Sequence, residues 1–201
     1  MERIGIIGGT FDPIHLAHTY IAEVAREKLK LERIIFMPNG NPPHKTGRRI
    51  TDANIRLDMV KEAIKNYEGF EVSDYEIKKQ GKGYTFETLE YFYNNNIEIY
   101  FITGADCLMD LEKWKNVKRI LELCKFVVVT RPGVSTENLL EQKKYIETKY
   151  GGEIIFLEVD GKDISSTYIR ELINKNLHIE KFLSKGVLNI VKQKELYKLG
   201  D

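Results

Sequence analysis

Five apolar runs recur along the chain, at Arg3–Ile7, Arg33–Met37, Glu98–Thr103, Phe126–Thr130 and Glu153–Val159, each rich in Ile, Val or Phe. Helical periodicity fills the spaces between them, over Leu16–Leu31, Ile50–Asn66, Thr85–Asn94, Val117–Leu123 and Thr136–Tyr150. The runs are continuous rather than alternating, so both faces of each predicted strand are buried. A sheet covered on both faces is a parallel sheet with helices on either side. The sequence therefore predicts an α/β fold: a doubly wound, Rossmann-like parallel sheet, with ligands bound beyond the carboxyl ends of its strands.

Polar motifs fall at those predicted ends. Gly8-Gly9-Thr10 follows the first run, Pro38 to Lys45 the second, and Thr103-Gly104-Ala105-Asp106 the third. Arg131-Pro132-Gly133 follows the fourth, and Asp163-Ile164-Ser165-Ser166-Thr167 the fifth. Five loops at one edge of a sheet imply one cleft. At 201 residues, with 42% hydrophobic and 30% charged residues, the chain is expected to form a single domain over 1–201. A helical appendage of one or two short helices is expected over 179–201.

The formal charge of +1 gives no support for duplex nucleic acid as a partner. No apolar stretch is long enough to span a bilayer, and no signal-peptide pattern opens the chain, so no membrane partner and a cytoplasmic location are expected. Cys107 and Cys124 form no CxxC pair and read as reduced thiols. A homo-oligomer is compatible with everything in the sequence and required by nothing.

The chemistry concentrates between Ile4 and His18. A buried strand runs into Gly8-Gly9-Thr10-Phe11, and Asp12-Pro13 reads as an N-cap followed by a first helical residue. Glycines let backbone amides approach an anion, and a helix N-terminus carries partial positive charge. His15 and His18, one turn apart, add side-chain donors to this phosphate cradle. With Asp12 read as a cap, no third His, Cys or uncommitted carboxylate is close in sequence, so zinc is disfavoured and no metal held by protein side chains is expected. A second anion site is predicted downstream, where Ser165 and Ser166 open a helix and Arg170 lies one turn beyond Ser166 on the same face.

Taken together, Gly8-Gly9-Thr10-Phe11-Asp12-Pro13, His15-Leu16-Ala17-His18 and Ile164-Ser165-Ser166-Thr167 with Arg170 resemble the HxGH-type nucleotidyltransferase superfamily. Within it the chain is similar to the bacterial nicotinate-nucleotide adenylyltransferases. Pro42-Pro43-His44-Lys45, Tyr84 to Leu89, Gly104-Ala105-Asp106 with Trp114, and Arg131-Pro132-Gly133 agree, in the expected order over nearly the whole chain. Ala17 departs from the signature, which commonly has glycine there.

The resemblance implies adenylyl transfer from ATP to nicotinate mononucleotide, giving deamido-NAD and pyrophosphate, with magnesium arriving on the ATP. It implies His15, His18 and Arg170 as the catalytic set. Gly8, Gly9, Thr10, Phe11, Gly104, Asp106, Ser165 and Ser166 would complete the ATP site, with Asp106 accepting from the ribose. Lys45, Thr85, Trp114 and Arg131 would hold the nicotinate nucleotide, its ring stacked on Trp114 and its carboxylate at the helix start of Thr85. Two alternatives stay open at this point. One is a sister adenylyl- or cytidylyltransferase acting on pantetheine phosphate or a small alcohol phosphate. The other is a nucleotide sensor without turnover.

Overall fold

The computed structural model describes residues 1–40, 50–79, 83–133, 136–161 and 164–198. Six parallel strands form one sheet: β1 (Glu2–Gly9), β2 (Arg33–Pro38), β3 (Phe70–Val72), β4 (Ile97–Gly104), β5 (Cys124–Thr130) and β6 (Glu153–Glu158). Their spatial order is β3-β2-β1-β4-β5-β6, the Rossmann-like order of a doubly wound sheet. The predicted α/β class is correct. The sequence reading omitted β3, a three-residue edge strand paired to β2 alone.

Strand pleating divides the buried side chains between two cores. Ile34, Phe36, Tyr100, Ile102 and Val127 point to one face, which is covered by α1 (Leu16–Lys28), α2 (Ala53–Ile64), α8 (Ser166–Asn174) and α9 (Lys185–Gln193). Ile4, Ile6, Ile35, Met37, Ile99, Phe101, Phe126 and Val128 point to the other. That face is covered by α4 (Thr85–Phe92), α5 (Ala105–Met109), α6 (Val117–Leu123) and α7 (Glu137–Tyr150), with α3 (Tyr75–Lys78) at its edge. Neighbouring residues of one strand feed opposite cores, which is why the runs read as continuously apolar. Each such side chain contributes about 1.5–3 kcal/mol of transfer free energy.

The connection order decides where a ligand fits. From β1 the chain winds through α1 to β2, whereas β4 on the other side of β1 is reached only after β3. The loops leaving β1 and β4 therefore diverge, and a crevice opens between Gly8 and Gly104 at the carboxyl edge. After α8, the expected one or two short helices resolve, among the described residues, into α9, capped by the Ser184 hydroxyl, which accepts from Val187 N–H.

Candidate active site

The first motif does not begin its helix where Asp12-Pro13 suggested. Asp12 and Pro13 form a turn joined by a cis peptide bond, and α1 starts at Leu16 with His15 as its N-cap. Asp12 is instead buried, at 1% exposure, with its Oδ1 accepting from the Tyr197 hydroxyl at 2.8 Å. A buried carboxylate paired inward cannot cap a helix several residues further along. Phe11 adopts a left-handed conformation (φ 50°) that sends its ring into the core, against the Gly9 backbone and edge-on to His18 at 5.1 Å. A Cβ on Gly9 would approach that ring to 3.0 Å, so the glycine permits the close packing.

His15 and His18 stack with ring centroids 3.7 Å apart and planes inclined by 24°. The His15 backbone N–H donates to His18 Nδ1 at 3.2 Å. A neutral His18 whose Nδ1 accepts carries its proton on Nε2, leaving that nitrogen as a donor. Burial lowers His15 to about 4, and burial plus the adjacent His15 holds His18 well below 6.5. His15 Nδ1 is buried without a hydrogen-bond partner among the described residues, an orphan polar atom at the centre of the site.

Sequence reasoning placed Ser165, Ser166 and Arg170 beside this motif, and the structure brings them there. Ser165 caps α8 by accepting from Tyr168 N–H at 3.1 Å. Ser166 Oγ donates to Pro13 O at 2.9 Å, and Arg170 Nη1 donates to Asp12 O at 2.7 Å. The second motif thus grips the turn of the first through its carbonyls. Arg56, which sequence reasoning missed, completes the grip from α2. At 1% exposure it donates to Thr10 O and Asn39 O, each at 2.7 Å, and to Thr51 O at 2.9 Å. Its signal was readable: Arg56 shares its helix stripe with Val60 and Ala63, positions that otherwise face the core.

Two contiguous cavities open above these groups. The larger, ≈ 640 Å³, runs along the carboxyl ends of β1, β4 and β5 and is lined by Gly8, Thr103, Gly104, Asp106 and Thr136. The smaller, ≈ 270 Å³, lies toward α8 and is lined by His15, Ala17, Ile164, Ser165 and Ser166. His18, Ile21, Val129 and Arg131 line both, so His18 stands where the two meet. A Cβ on Gly104 would meet nothing within 4 Å, so the residue keeps the cavity mouth clear. Gly104 is the N-cap of α5, and Asp106 presents an exposed carboxylate from its first turn.

A cytidylyltransferase-like family model matches residues 6–172. Curated relatives from Clostridium botulinum (strain Eklund 17B) and Clostridium tetani, each described as a probable nicotinate-nucleotide adenylyltransferase, are 52% identical. They align over 98% of this chain and over 99% and 100% of their own lengths, respectively. The chain belongs to the nicotinate-nucleotide adenylyltransferase family. A Plasmodium falciparum nicotinic acid mononucleotide adenylyltransferase, solved in complexes with APC and with NaAD, shares the fold. The TM-score is 0.75 and the sequence identity 19% and 17%, with 98% of each chain covered.

The side chains expected on the acceptor of this adenylyltransferase family are more dispersed. Trp114 is half-buried and meets Phe101 and Phe126 edge-on at 6.1 and 6.0 Å, so core packing claims part of its ring. Phe101 also lies 3.6 Å from where a Gly8 Cβ would sit, which connects Trp114 to the floor of the crevice. Thr85 is the first residue of α4, next to Tyr84, whose ring lies beneath the Lys115 ammonium at 4.3 Å. Arg131 lines the two cavities that His18 lines. Lys45 and Asp163 lie outside the described residues. Among the described residues, no group of three or more His, Cys, Asp or Glu could hold a metal ion, and no helix is long and apolar enough to cross a membrane.

Proposed function

We infer that this protein transfers the adenylyl group of ATP to nicotinate mononucleotide, releasing pyrophosphate and forming deamido-NAD for NAD biosynthesis. Descent supports the reaction, since the relatives that bear this activity's name match end to end at about half identity. The observation that carries the site assignment is the position of His18 at the junction of the two cavities.

In this reading, adenosine occupies the larger cavity against Gly104 and Asp106, and the polyphosphate turns past His18 toward Ser165 and Ser166. A phosphate oxygen of the acceptor attacks the α-phosphorus in line, the bond to the bridging β-phosphate oxygen breaks, and pyrophosphate leaves with its electron pair. No protein nucleophile takes part, so catalysis rests on positioning and on charge stabilisation at phosphorus. His18 Nε2–H donates to an α-phosphate oxygen as negative charge develops there. His15 Nδ1, without a partner among the described residues, gains one from the phosphates. Arg170, held beside the turn, adds positive charge toward the leaving group, and Arg131 faces both substrates.

Magnesium fits this donor set as a companion of the nucleotide. Asp106 is the one carboxylate among the described residues lining the two cavities, so phosphate oxygens and water would supply most ligands, and the ion would neutralise phosphate charge. The acceptor lies on the Trp114 and Thr85 side of Gly8, where a ring carboxylate meets the amides opening α4. The same reading places the protein in the cytoplasm.

The test is pyrophosphate release from ATP with nicotinate mononucleotide, its amide and pantetheine phosphate supplied in parallel. Fastest release with nicotinate mononucleotide is expected. Release with pantetheine phosphate alone would move the chain to a sister activity, and release with none would make it a nucleotide sensor.

A further inference from the structure

The turn that delivers the two histidines is held by more of the molecule than the two sequence motifs. Thr10 O accepts from Arg56 of α2, Asp12 O from Arg170 of α8, and Pro13 O from Ser166 of α8. Leu16 N–H, the first of α1, donates to Phe182 O at 2.9 Å. These ties all fall on the backbone. The Tyr197 hydroxyl adds a tie to a side chain of the turn, donating to Asp12 Oδ1, and it comes from the segment after α9, 185 residues away in sequence.

That segment is built to place one phenol. Glu195 takes the left-handed backbone angle (φ 50°) that ends α9, and Tyr197 takes a second (φ 67°), so the chain turns twice within three residues. Leu196 N–H donates back to Val191 O at 3.1 Å, folding the chain against the end of α9. Leu196 and Tyr197 then pack against the first core, and the Thr51 side chain also hydrogen-bonds Tyr197. Burial and the neighbouring Asp12 carboxylate push the Tyr197 phenol far up from 10.0, so it remains a donor throughout the working pH range. Buried Arg56 lies in the field of both Asp12 and Tyr197. The result is an Arg56–Asp12–Tyr197 cluster directly beneath the turn.

We propose that Tyr197 is a positioning residue for adenylyl transfer, fixing the Asp12 side chain and through it the turn that aims His15 and His18 at the phosphates. Tyr197 touches neither substrate. Its effect on rate passes through the placement of His18 Nε2, which rests on the inclination of α1's first turn. This inference builds on the adenylyltransferase reading, but the placement itself can be read without turnover.

Tyr197→Phe removes the hydroxyl and keeps the ring. The expected result is a kcat lowered tenfold or more, with both KM values within twofold of the parent and an unchanged circular dichroism spectrum. Tyr145→Phe, which removes an exposed hydroxyl on α7 bonded to Glu112, should leave kcat within twofold. Asp12→Ala, which removes the acceptor, and the double variant complete a cycle: losses that fail to add support action through the Tyr197–Asp12 hydrogen bond. The imidazole 15N resonances of His15 and His18 are recorded on the same proteins, and Tyr197→Phe should shift them. Wild-type kcat in folded Tyr197→Phe, or a lowered melting temperature with kcat unchanged, would overturn the proposal. So would additive losses in the cycle. If the parent releases no pyrophosphate with any acceptor, the proposed function fails instead, and the 15N spectra still decide the placement: shifted signals sustain it and unshifted signals overturn it.

Discussion

His15 and His18 favour the neutral imidazole because a desolvated niche, and for His18 the stacked His15 ring, disfavour the charged form. Their folded values lie below the ordinary 6.5, so as pH falls through 6.5 the unfolded chain binds protons first. The stability they contribute is fully present above 6.5 and declines toward about 4, the His15 value. In an NMR titration, His15 should stay neutral from pH 8 to pH 5 and His18 should titrate well below 6.5, and ATP should raise both transitions, since phosphate charge favours the imidazolium. A transition of either ring between 6 and 7 in the free protein would contradict the desolvated geometry. His18 also admits a direct test of its place at the cavity junction. His18→Ala should lower kcat by about a hundredfold or more, the scale of one lost transition-state donor, with the fold retained by circular dichroism. Near-normal turnover in the folded variant would remove His18 from the chemistry.

At the scale of elements, the ends of β1 and β4 define the crevice because neither Gly8 nor Gly104 brings a side chain into it. Gly104 has an ordinary negative φ and open space around its missing Cβ, so backbone strain does not demand glycine there. Gly104→Val should therefore fold with a melting temperature within a few degrees of the parent, yet raise the KM for ATP by about tenfold or more through steric exclusion. The KM for nicotinate mononucleotide should stay within twofold. An unchanged ATP KM would move adenosine away from β4. These strand ends were legible in the sequence because strands buried on both faces leave continuous apolar runs, and the polar residues after them had nowhere else to go. Phe70–Val72 was not legible: three residues on a sheet edge carry too little pattern to separate from a loop. The start of α1 was misplaced for a related reason. Asp12-Pro13 has the local chemistry of a cap, but a partner 185 residues away claims the Asp12 carboxylate, and no local rule anticipates that. Arg56 was legible in principle as a charge on a core-facing stripe, whereas Tyr197 is one of 11 tyrosines with nothing local to distinguish it.

Across the whole molecule, the two cores share the same six strands, so neither can lose its helices without exposing the back of the other's sheet. The site depends on both: His15, Arg56 and Tyr197 belong to the side covered by α1, α2 and α9, while Trp114 and Thr85 belong to the side of α4 and α6. This arrangement predicts one cooperative unfolding unit over 1–201. Trp114, the sole tryptophan, reports on the second core through its contacts with Phe101 and Phe126, whereas far-UV ellipticity averages helices from both. In urea the two signals should share one midpoint. ATP at about a hundred times its dissociation constant should raise the unfolding free energy by about 2.7 kcal/mol on both probes equally, because a ligand bound only to the native state stabilises everything that unfolds with it. A tryptophan transition separate from the ellipticity, or a nucleotide shift seen by one probe alone, would divide the chain into independent units. The segment carrying Tyr197 could then no longer be coupled to the turn that carries the histidines through a common fold.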